Sequence, residues 1–387
     1  MRTRHSLRDA AHGGAACPPL EETRVCNTQP CPVDSHEGPP SPEKLNESPA
    51  HTPTPTPAVA TRTATATFAA GAGMPSGSIT FTQASASAAT EIAVKMQGLE
   101  ASANKWHIHN FPVDGACSST GGHFDPLGAE VNGYSTCAGD AAAKATGCYV
   151  GDLSGKHGTL GASVDDKFQD SSVSLFGINS VQGRGIVIHR NDGSRWACAT
   201  IGYAREVKTV VASFSSDIVG QVVMKQLSDD ASSETQVLVD LKYADANAAD
   251  TAGHKFHVHA DAVTSDCASA GGHFDPFGVE VNGYSTCTGD AAAKAVGCYV
   301  GDLSGKHALV AIGSAGKTMF TDLNLPLSGA NAVDGRSIVL HAANSGAARV
   351  GCASLAEGMA MTPAPTPAAV ATRTATATFA AGAGMPS

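Results

Sequence analysis

The sequence has no run of about 18 or more consecutive apolar residues, the length that marks a membrane-spanning helix, so we expect no such span. The first residues, MRTRH, lack the apolar stretch of a secretory signal peptide and give no export signal. Positive charge is scarce, because 25 Lys and Arg face 35 Asp and Glu and the formal net charge is −10. This balance argues against nucleic acid or acidic membrane surfaces as partners, and it leaves any attraction of an anionic substrate to local charges.

The residues that are abundant favour β structure. The chain is 42% hydrophobic over 387 residues, enough for two or three ordinary domains, whereas aromatic residues make up only 5%. The 42 glycines and the alternating runs of Thr, Ser, Ala and Val favour short strands and tight turns, so we predict an all-β fold. Eleven cysteines at repeating positions indicate a disulfide framework and hence an oxidising compartment.

An internal repeat organises the chain. Residues 121–157 recur at 271–307 with 33 of 37 positions identical, which predicts two homologous domains. The sequence of residues 60–76 is repeated at 371–387, and this second copy is expected to begin a third domain. Pro/Thr-rich stretches mark linkers between the domains. The predicted segments are a partial module at 1–36, a linker at 37–60, domain one at 61–203, domain two at 205–356, a linker at 357–371 and a truncated domain at 372–387.

Within domain one, alternating segments predict about eight short strands, and the Gly-, Asn-, Ser- and Cys-rich segment before Tyr149 predicts a large loop without a helix. Domain two repeats this pattern from 207–214 to 349–355. The predicted strands of domain one are 62–68, 78–83, 91–97, 105–109, 157–163, 172–176, 184–190 and 196–202.

The first 36 residues differ from the rest. Cys17, Cys26 and Cys31, with their Gly- and Pro-containing surroundings, resemble the second half of a thrombospondin type 1 repeat, but the Trp and Cys residues of the first half are missing. The alternative is a disordered tail that contains cysteines. Together with the truncated third domain, the resemblance implies a fragment of a larger modular extracellular protein.

Histidines form the most informative pattern. His107 and His109 are two residues apart on a predicted strand, so both side chains project from one face. His123 follows 14 residues later and His189 lies on a late strand. Four imidazoles without a thiolate suit copper. A lone histidine is usually structural, but this set recurs in the same frame of domain two as His257, His259, His273 and His341.

These residues occur in a recognisable order. The sequence HxH, then Cys, GGHFDP, VGDLSGKH, and a late histidine followed by Arg-x-x-Cys resembles the copper/zinc superoxide dismutase family over nearly all of 61–203 and 205–356. The resemblance implies two tandem Greek-key domains of eight strands, barrel or sandwich in form, and disproportionation of superoxide to oxygen and hydrogen peroxide. It also implies catalytic roles and disulfides: proton transfer by His123 and His273, anion guidance by Arg195 and Arg349, and the pairs Cys117–Cys198 and Cys267–Cys352. A salt-bridged surface role is the alternative for the arginines.

The sequence departs from the family in its zinc site. No histidine stands at 130–133, where the family has its second zinc ligand, and Tyr149 stands where the third should be. Domain two repeats both losses, which resembles the copper-only branch of the family, so we expect one copper per domain and no zinc. Only eight residues separate His189 from Cys198, and ten separate His341 from Cys352, so the family's long charged loop is missing. The copper should therefore be open to solvent.

Other residues are expected to replace the zinc. We predict that Asp152 and Asp302 accept a hydrogen bond from the ring nitrogen of His123 and His273, with turn capping as the alternative role. Disulfides Cys137–Cys148 and Cys287–Cys298 are predicted to staple the segment that zinc would organise. No ligand role is expected for His157 or His307, and His254 is expected to be solvated.

The sequence therefore predicts an extracellular, copper-dependent superoxide dismutase. Two rivals are a copper-binding or buffering module without significant turnover, and an adhesive extracellular module in which these domains act as spacers. The retained ligands in both copies argue against the spacer. Turnover by the copper-loaded domain discriminates the first rival, and the sequence favours no oligomeric state.

Overall fold

The computed structural model describes residues 61–131, 134–135, 137–279, 287–314 and 316–358, together with one strand pair near the start of the chain. The chain divides into two units, 1–56 and 57–387. In the first unit, β1 (Arg2–Thr3) pairs antiparallel with β2 (Glu21–Glu22). The rest of the segment predicted to resemble a thrombospondin repeat, the predicted linker at 37–60 and the predicted third-domain start at 372–387 lie outside the described residues.

Domain one contains the elements β3 (Arg62–Phe68), β4 (Ser76–Gln83), β5 (Thr90–Gln97), β6 (Trp106–His109), β7 (Glu130–Val131), β8 (Tyr134–Ser135), α1 (Ala141–Gly147), α2 (Leu153–His157), β9 (Ser163–Asp170), β10 (Gly185–His189), β11 (Arg195–Thr200) and β12 (Gly202–Tyr203). Two antiparallel sheets have the orders β12-β3-β4-β5-β9 and β11-β10-β6, and β7 and β8 form a separate pair. Since β11 and β12 are separated only by Ile201, the last strand passes from one sheet into the other.

Alternation of small or apolar residues with polar ones places one face of each strand in the core. In β3 the alternating Arg/Ala and Thr residues give alternately buried and more exposed positions. Ile79 and Phe81 on β4 and Ile92 and Val94 on β5 are completely buried in the same core. The predicted all-β fold is confirmed, and eight strands lie in the two sheets of domain one.

Domain two contains the elements β13 (Val207–Ser215), β14 (Ile218–Leu227), β15 (Thr235–Tyr243), β16 (Thr251–His254), β17 (Phe256–His259), α3 (Ala291–Gly297), α4 (Leu303–Lys306), β18 (Val310–Ile312), β19 (Thr318–Asp322), β20 (Ser337–His341) and β21 (Arg349–Glu357). It repeats the arrangement with a longer continuous sheet of order β17-β20-β21-β13-β14-β15-β19, and a separate pair joins β16 to β18. Here the last strand, β21, is unbroken and pairs with both β20 and β13.

Two strand predictions in domain one are wrong. The segment 157–163 contains the end of α2 and a single bridge between Leu160 and Asn104, whereas the strand runs over 163–170. The segment 172–176 is not a strand, because side chains satisfy its backbone instead of a neighbouring ladder. Asp170 accepts from the Val173 amide at 3.0 Å, and Gln83 accepts from the Leu175 amide at 2.7 Å.

The predicted large loop contains short helices, which is a second correction. In α1 and α3 the sequence Ala-Ala-Ala-Lys-Ala supplies strong helix formers. Asp140 and Asp290 cap them by accepting from the Ala143 and Ala293 amides at 2.9 Å. None of the helices in the described part of the chain is long and apolar enough to cross a membrane.

Candidate metal centres

The first two histidines of each set are presented by a short buried strand. On β6, Trp106 and Ile108 point into the hydrophobic core and are completely buried. His107 and His109 alternate with them and therefore lie on the opposite face. His189 ends the adjacent strand β10, whose residues 185–188 pair with all four residues of β6.

A ring of backbone hydrogen bonds brings two loop segments onto this strand. The Ile108 amide donates to Gly151 O, the Gly151 amide donates to Phe124 O, and the Phe124 amide donates to Ile108 O, each at 2.9 Å. Gly151 must be glycine, because a Cβ there would lie 2.4 Å from the Ile108 carbonyl oxygen. The ring places His123, directly before Phe124, beside the strand histidines. The segment around Gly151 is fixed beside them as well.

In domain one the four predicted histidines come together in one cluster. Each offers one nitrogen, and the four nitrogens lie within 4.8 Å of one another. The ring centroid of His107 is 4.6 Å from that of His123 and 5.0 Å from that of His189. Nitrogens bound to one metal at about 2 Å lie about 3–4 Å apart, so only a small contraction would complete coordination.

Two imidazoles of the cluster contact backbone carbonyls through one ring nitrogen, as metal-binding histidines usually do. His109 Nδ1 contacts Gly121 O and His189 Nδ1 contacts Gly193 O, both at 2.9 Å, which fixes the direction of each ring. The inward nitrogens His109 Nε2, His189 Nε2 and His107 Nδ1 are buried without any hydrogen-bond partner. Buried polar atoms in proteins are almost always paired, so three orphaned nitrogens converging on one point fit a metal ion.

Domain two reproduces the cluster almost atom for atom. Its four nitrogens also lie within 4.8 Å of one another. His257 Nδ1, His259 Nε2 and His341 Nε2 are buried without partners, and the ring centroid of His257 is 4.5 Å from that of His273. The residues are His257, His259, His273 and His341.

Burial keeps the two strand histidines of each cluster neutral. Burial, with repulsion from the neighbouring imidazoles, lowers the pKa of His107 to about 2, and burial lowers the pKa of His109 to about 3. In domain two burial lowers the pKa of His257 to about 2 and that of His259 to about 4. The neutral ring is the form that binds a metal, so the lone pairs stay available well below neutral pH.

The same pKa values predict how the stability of the metal-free protein depends on pH. An unfolded histidine titrates near 6.5, so between about pH 6.5 and 4.5 the unfolded state binds more protons than the folded state. The free energy of unfolding should therefore fall as pH falls through this window, by up to about 1.4 kcal/mol per pH unit for each such imidazole. Urea unfolding of the metal-free chain at several pH values measures this slope.

A double variant tests whether the buried histidines cause this pH dependence. Combining His107→Gln with His257→Gln removes the histidine of lowest pKa in domain one and its counterpart in domain two, and should make the slope shallower. A denaturation midpoint that stays constant from pH 6.5 to 4.5 in the parent chain would contradict the buried neutral state.

Asp152, which the sequence predicts to orient His123, takes the alternative role of a helix cap. Asp152 caps α2 by accepting from the Gly155 amide at 2.8 Å, which was the alternative interpretation from sequence. Its Oδ1 also lies 3.7 Å from His107 Nε2. Asp302 repeats both contacts, with the Gly305 amide at 2.8 Å and His257 Nε2 at 3.7 Å. The carboxylates thus lie beside the clusters.

All four expected cysteine pairs are bonded in the structure. The long-range pairs tie the loop before each GGHF motif to the last strand, and the short-range pairs close α1 and α3 onto the preceding segment. Because the sulfurs of the short-range pairs are bonded to each other, they supply no thiolate for a metal. The disulfides are Cys117–Cys198, Cys137–Cys148, Cys267–Cys352 and Cys287–Cys298.

The two arginines lie over the loop that carries the third histidine. Arg195 donates to Cys117 O at 2.8 Å and to Gly121 O at 2.5 Å, and it has no carboxylate within ion-pair distance among the residues that the structure describes. Arg349 donates to Cys267 O at 2.5 Å and to Gly271 O at 2.6 Å. Arg349 likewise has no carboxylate within ion-pair distance among the described residues, so these residues do not show the salt-bridged alternative.

Sequence reasoning missed several buried polar residues. His254, expected to be solvated, is buried and contacts His341 O and Thr251 Oγ1, each at 2.8 Å, so that prediction is wrong. His157 lies outside the metal cluster and contacts Asp170 at 2.9 Å, and Lys156 pairs with the same carboxylate at 2.7 Å. The signal that could have found this group is the repeated Gly-Lys-His with an aspartate 13 or 15 residues later.

Two all-β domains that each carry a cluster of four imidazoles give the chain two equivalent sites that could each hold a metal ion. The family described as copper/zinc superoxide dismutase (SODC) matches residues 75–201 and 218–360, more than half of the chain. The chain therefore belongs to the copper/zinc superoxide dismutase family, whose members are oxidoreductases.

Individual relatives differ in their metal content. The chain is 34% identical over 117 residues to the cell surface Cu-only superoxide dismutase 5 of Candida albicans, covering 28% of this chain and 47% of that protein. It is 35% identical over 132 residues to the Cu-Zn superoxide dismutase of Schizosaccharomyces pombe, covering 29% of this chain and 80% of that one. The chain thus spans about half the length of the Candida relative.

A solved structure also matches. The Cu(II) form of Candida albicans superoxide dismutase 5 is 31% identical, covers 38% of this chain and 94% of that chain, and has a TM-score of 0.33.

Proposed function

We propose that each of the two domains binds one copper ion and catalyses the disproportionation of superoxide to oxygen and hydrogen peroxide. The observation that carries the proposal is the set of orphaned inward nitrogens, which occurs identically in both domains. Four imidazoles and no thiolate form a donor set that copper prefers. The family supports the reaction, since its members are named for it.

Copper, when bound, supplies one-electron chemistry by alternating between its two oxidation states. The protein must then hold the metal, attract an anion and deliver a proton. His107, His109 and His189 are mostly buried and hold the site, while His123 is the partly exposed member of the cluster. An imidazole with solvent access can take up a proton on a ring nitrogen and return it to the product, so we assign this role to His123 and, in domain two, to His273.

The arginines and aspartates complete the mechanism. Arg195 and Arg349 place positive charge near each cluster in a chain of net charge −10, which concentrates a small anion locally. We assign to Asp152 and Asp302 the orientation of the imidazoles around the metal, supported by their position 3.7 Å from His107 and His257.

The sites are proposed to function without zinc. A zinc centre needs about four protein ligands. Tyr149, at the position of one family ligand, packs its ring on His123, and the nearby cysteine sulfurs are consumed in a disulfide. Domain two has the same features with Tyr299 and His273.

An extracellular or cell-surface location is part of the proposal. Four disulfides among the described residues suit an oxidising compartment. The Candida albicans relatives numbered 4, 5 and 6 are named as cell-surface proteins.

Elemental analysis tests the metal assignment. The full chain, incubated with both copper and zinc and then treated with a mild chelator, should retain two coppers per chain, one for each cluster, and far less than one zinc. Stoichiometric zinc that survives the chelator, or copper well below two, would overturn the copper-only assignment.

A further inference from the structure

Tyr149 and Tyr299 lie against the histidine clusters of their domains in the same way. Each is almost completely buried, with 3% and 2% of its surface exposed. The ring of Tyr149 is parallel to that of His123 within 11°, with centroids 5.0 Å apart, and Tyr299 stacks on His273 at 13° and 5.1 Å. The same stacked arrangement therefore occurs at both sites.

The tyrosine ring is held in place without a metal. The preceding residue, Cys148, is bonded to Cys137, and the Asp152 amide donates to Tyr149 O at 2.9 Å. Gly151 closes the hydrogen-bond ring onto β6, so the backbone on both sides of the tyrosine is fixed relative to the histidine strand. The stacked face is therefore a rigid wall beside His123.

The fixed Tyr149 ring restricts rotation of the His123 ring. Rotation of the His123 ring about its Cβ–Cγ bond would drive one edge of the imidazole into the face of Tyr149. Parallel, offset contact is a favoured arrangement of two aromatic rings, so the observed orientation is stabilised while the rotated ones are blocked. The carbonyls of Gly121 and Gly193 orient His109 and His189 in an analogous way.

We propose that Tyr149 and Tyr299 are positioning residues that fix the ring planes of His123 and His273 for copper binding, so that aromatic packing does what a zinc ion would otherwise do on that side of the ring. The proposal rests on the proposed function, because it assumes that copper occupies the clusters. It assigns a role to a residue that replaces a family zinc ligand in both domains.

The chain supplies its own internal control. Tyr149→Leu removes the stacked ring from domain one only, so the copper of domain two reports the unperturbed site in the same sample. Two readouts apply: the Cu(II) electron paramagnetic resonance spectrum and the rate at which an excess of chelator removes copper. We expect a second spectral component in half of the copper. That half should be released about 10-fold faster or more, because loss of an outer partner of a metal ligand typically lowers metal affinity by about 10- to 100-fold.

Further variants separate stacking from other effects. Tyr149→Phe keeps the ring and loses the hydroxyl, so it should keep the parent spectrum and release rate. Phe168→Leu is a matched control, because Phe168 packs on His157, a histidine outside the cluster, with ring centroids also 5.0 Å apart. It should leave the copper spectrum unchanged. Tyr299→Leu should affect the other half of the copper.

The outcomes distinguish the two proposals. If the parent chain binds two coppers and Tyr149→Leu changes neither spectrum nor release, the positioning role is wrong and the proposed function stands. If Tyr149→Phe behaves like Tyr149→Leu, the hydroxyl acts instead of the stacked ring, and the positioning role is again wrong. A parent chain that binds no copper overturns both.

Discussion

A chain carrying both His109→Gln and His259→Gln is expected to lose copper from both domains and, with it, superoxide turnover. These residues are the most deeply buried members of their clusters, with 0% and 1% of their surfaces exposed. Each Nδ1 is committed to a backbone carbonyl, so only the inward Nε2 can serve the metal. Because a ligand itself is removed, the loss of copper affinity should exceed the roughly 100-fold that outer partners can cost.

A histidine pair outside the clusters provides the control. His157 and His307 contact Asp170 and Asp322 and occupy the same register in the two domains. His157→Gln with His307→Gln should lower stability but leave two coppers bound. Either ligand variant alone should retain about half of the copper and about half of the turnover, since the clusters are separate. Full copper occupancy in the double ligand variant would show that the metal binds elsewhere.

Reversing the charge of both arginines should slow the reaction without removing copper. Arg195 and Arg349 are held by backbone carbonyls near the clusters, and no carboxylate among the described residues neutralises them. Electrostatic steering changes association rates by about 10- to 1,000-fold, so Arg195→Glu with Arg349→Glu should lower the second-order rate constant by about 10-fold or more at low salt. Added salt should slow the parent protein and accelerate the variant, because it screens attraction and repulsion alike.

A double variant that reverses two charges away from the clusters provides the control for the arginine variant. Lys95 on β5 and Lys242 on β15 are exposed on the large sheets, and changing both to glutamate alters the net charge by the same amount. That variant should keep most of the parent rate. If the double arginine variant retains full activity at low salt with copper intact, the arginines only brace the loop, and superoxide reaches the metal because the site is open.

The histidine cluster was predictable because the alternation of side chains along a strand determines which histidines lie together. Two histidines separated by one residue on a strand must share a face, and Trp106 and Ile108 confirm the alternation by filling the core. The second cluster was predictable because its four histidines recur in the same order in domain two. The distance between the first and third histidine rings is 4.6 Å in one domain and 4.5 Å in the other.

The strand at 163–170 was misplaced because its sequence pattern is that of an edge strand. Three charged residues at its centre, Asp165, Asp166 and Lys167, suggest a loop. In the fold β9 is the last strand of its sheet, where charged side chains face solvent and protect the edge from further pairing. Only Asp170 of this strand is fully buried, so no apolar alternation existed to be read.

The buried polar residues were not predicted because the pairing that permits their burial is made between separate segments of the chain. Charged residues are ordinarily exposed unless paired. Asp170 is buried between Lys156 and His157, and this combination holds its pKa well below the usual range despite burial. The stacking of Tyr149 on His123 was hidden for the same reason. The sequence showed that a ligand was missing but gave no indication of what the replacement touches.

The most direct test of the account is the decay of superoxide, followed by rapid mixing or pulse radiolysis, in samples of the full chain that hold between zero and two coppers. We predict a second-order rate that rises in proportion to bound copper up to two per chain, with no change when zinc is added. Two tightly bound coppers without turnover would instead identify a copper-buffering protein. A rate that depends on zinc would contradict the copper-only mechanism.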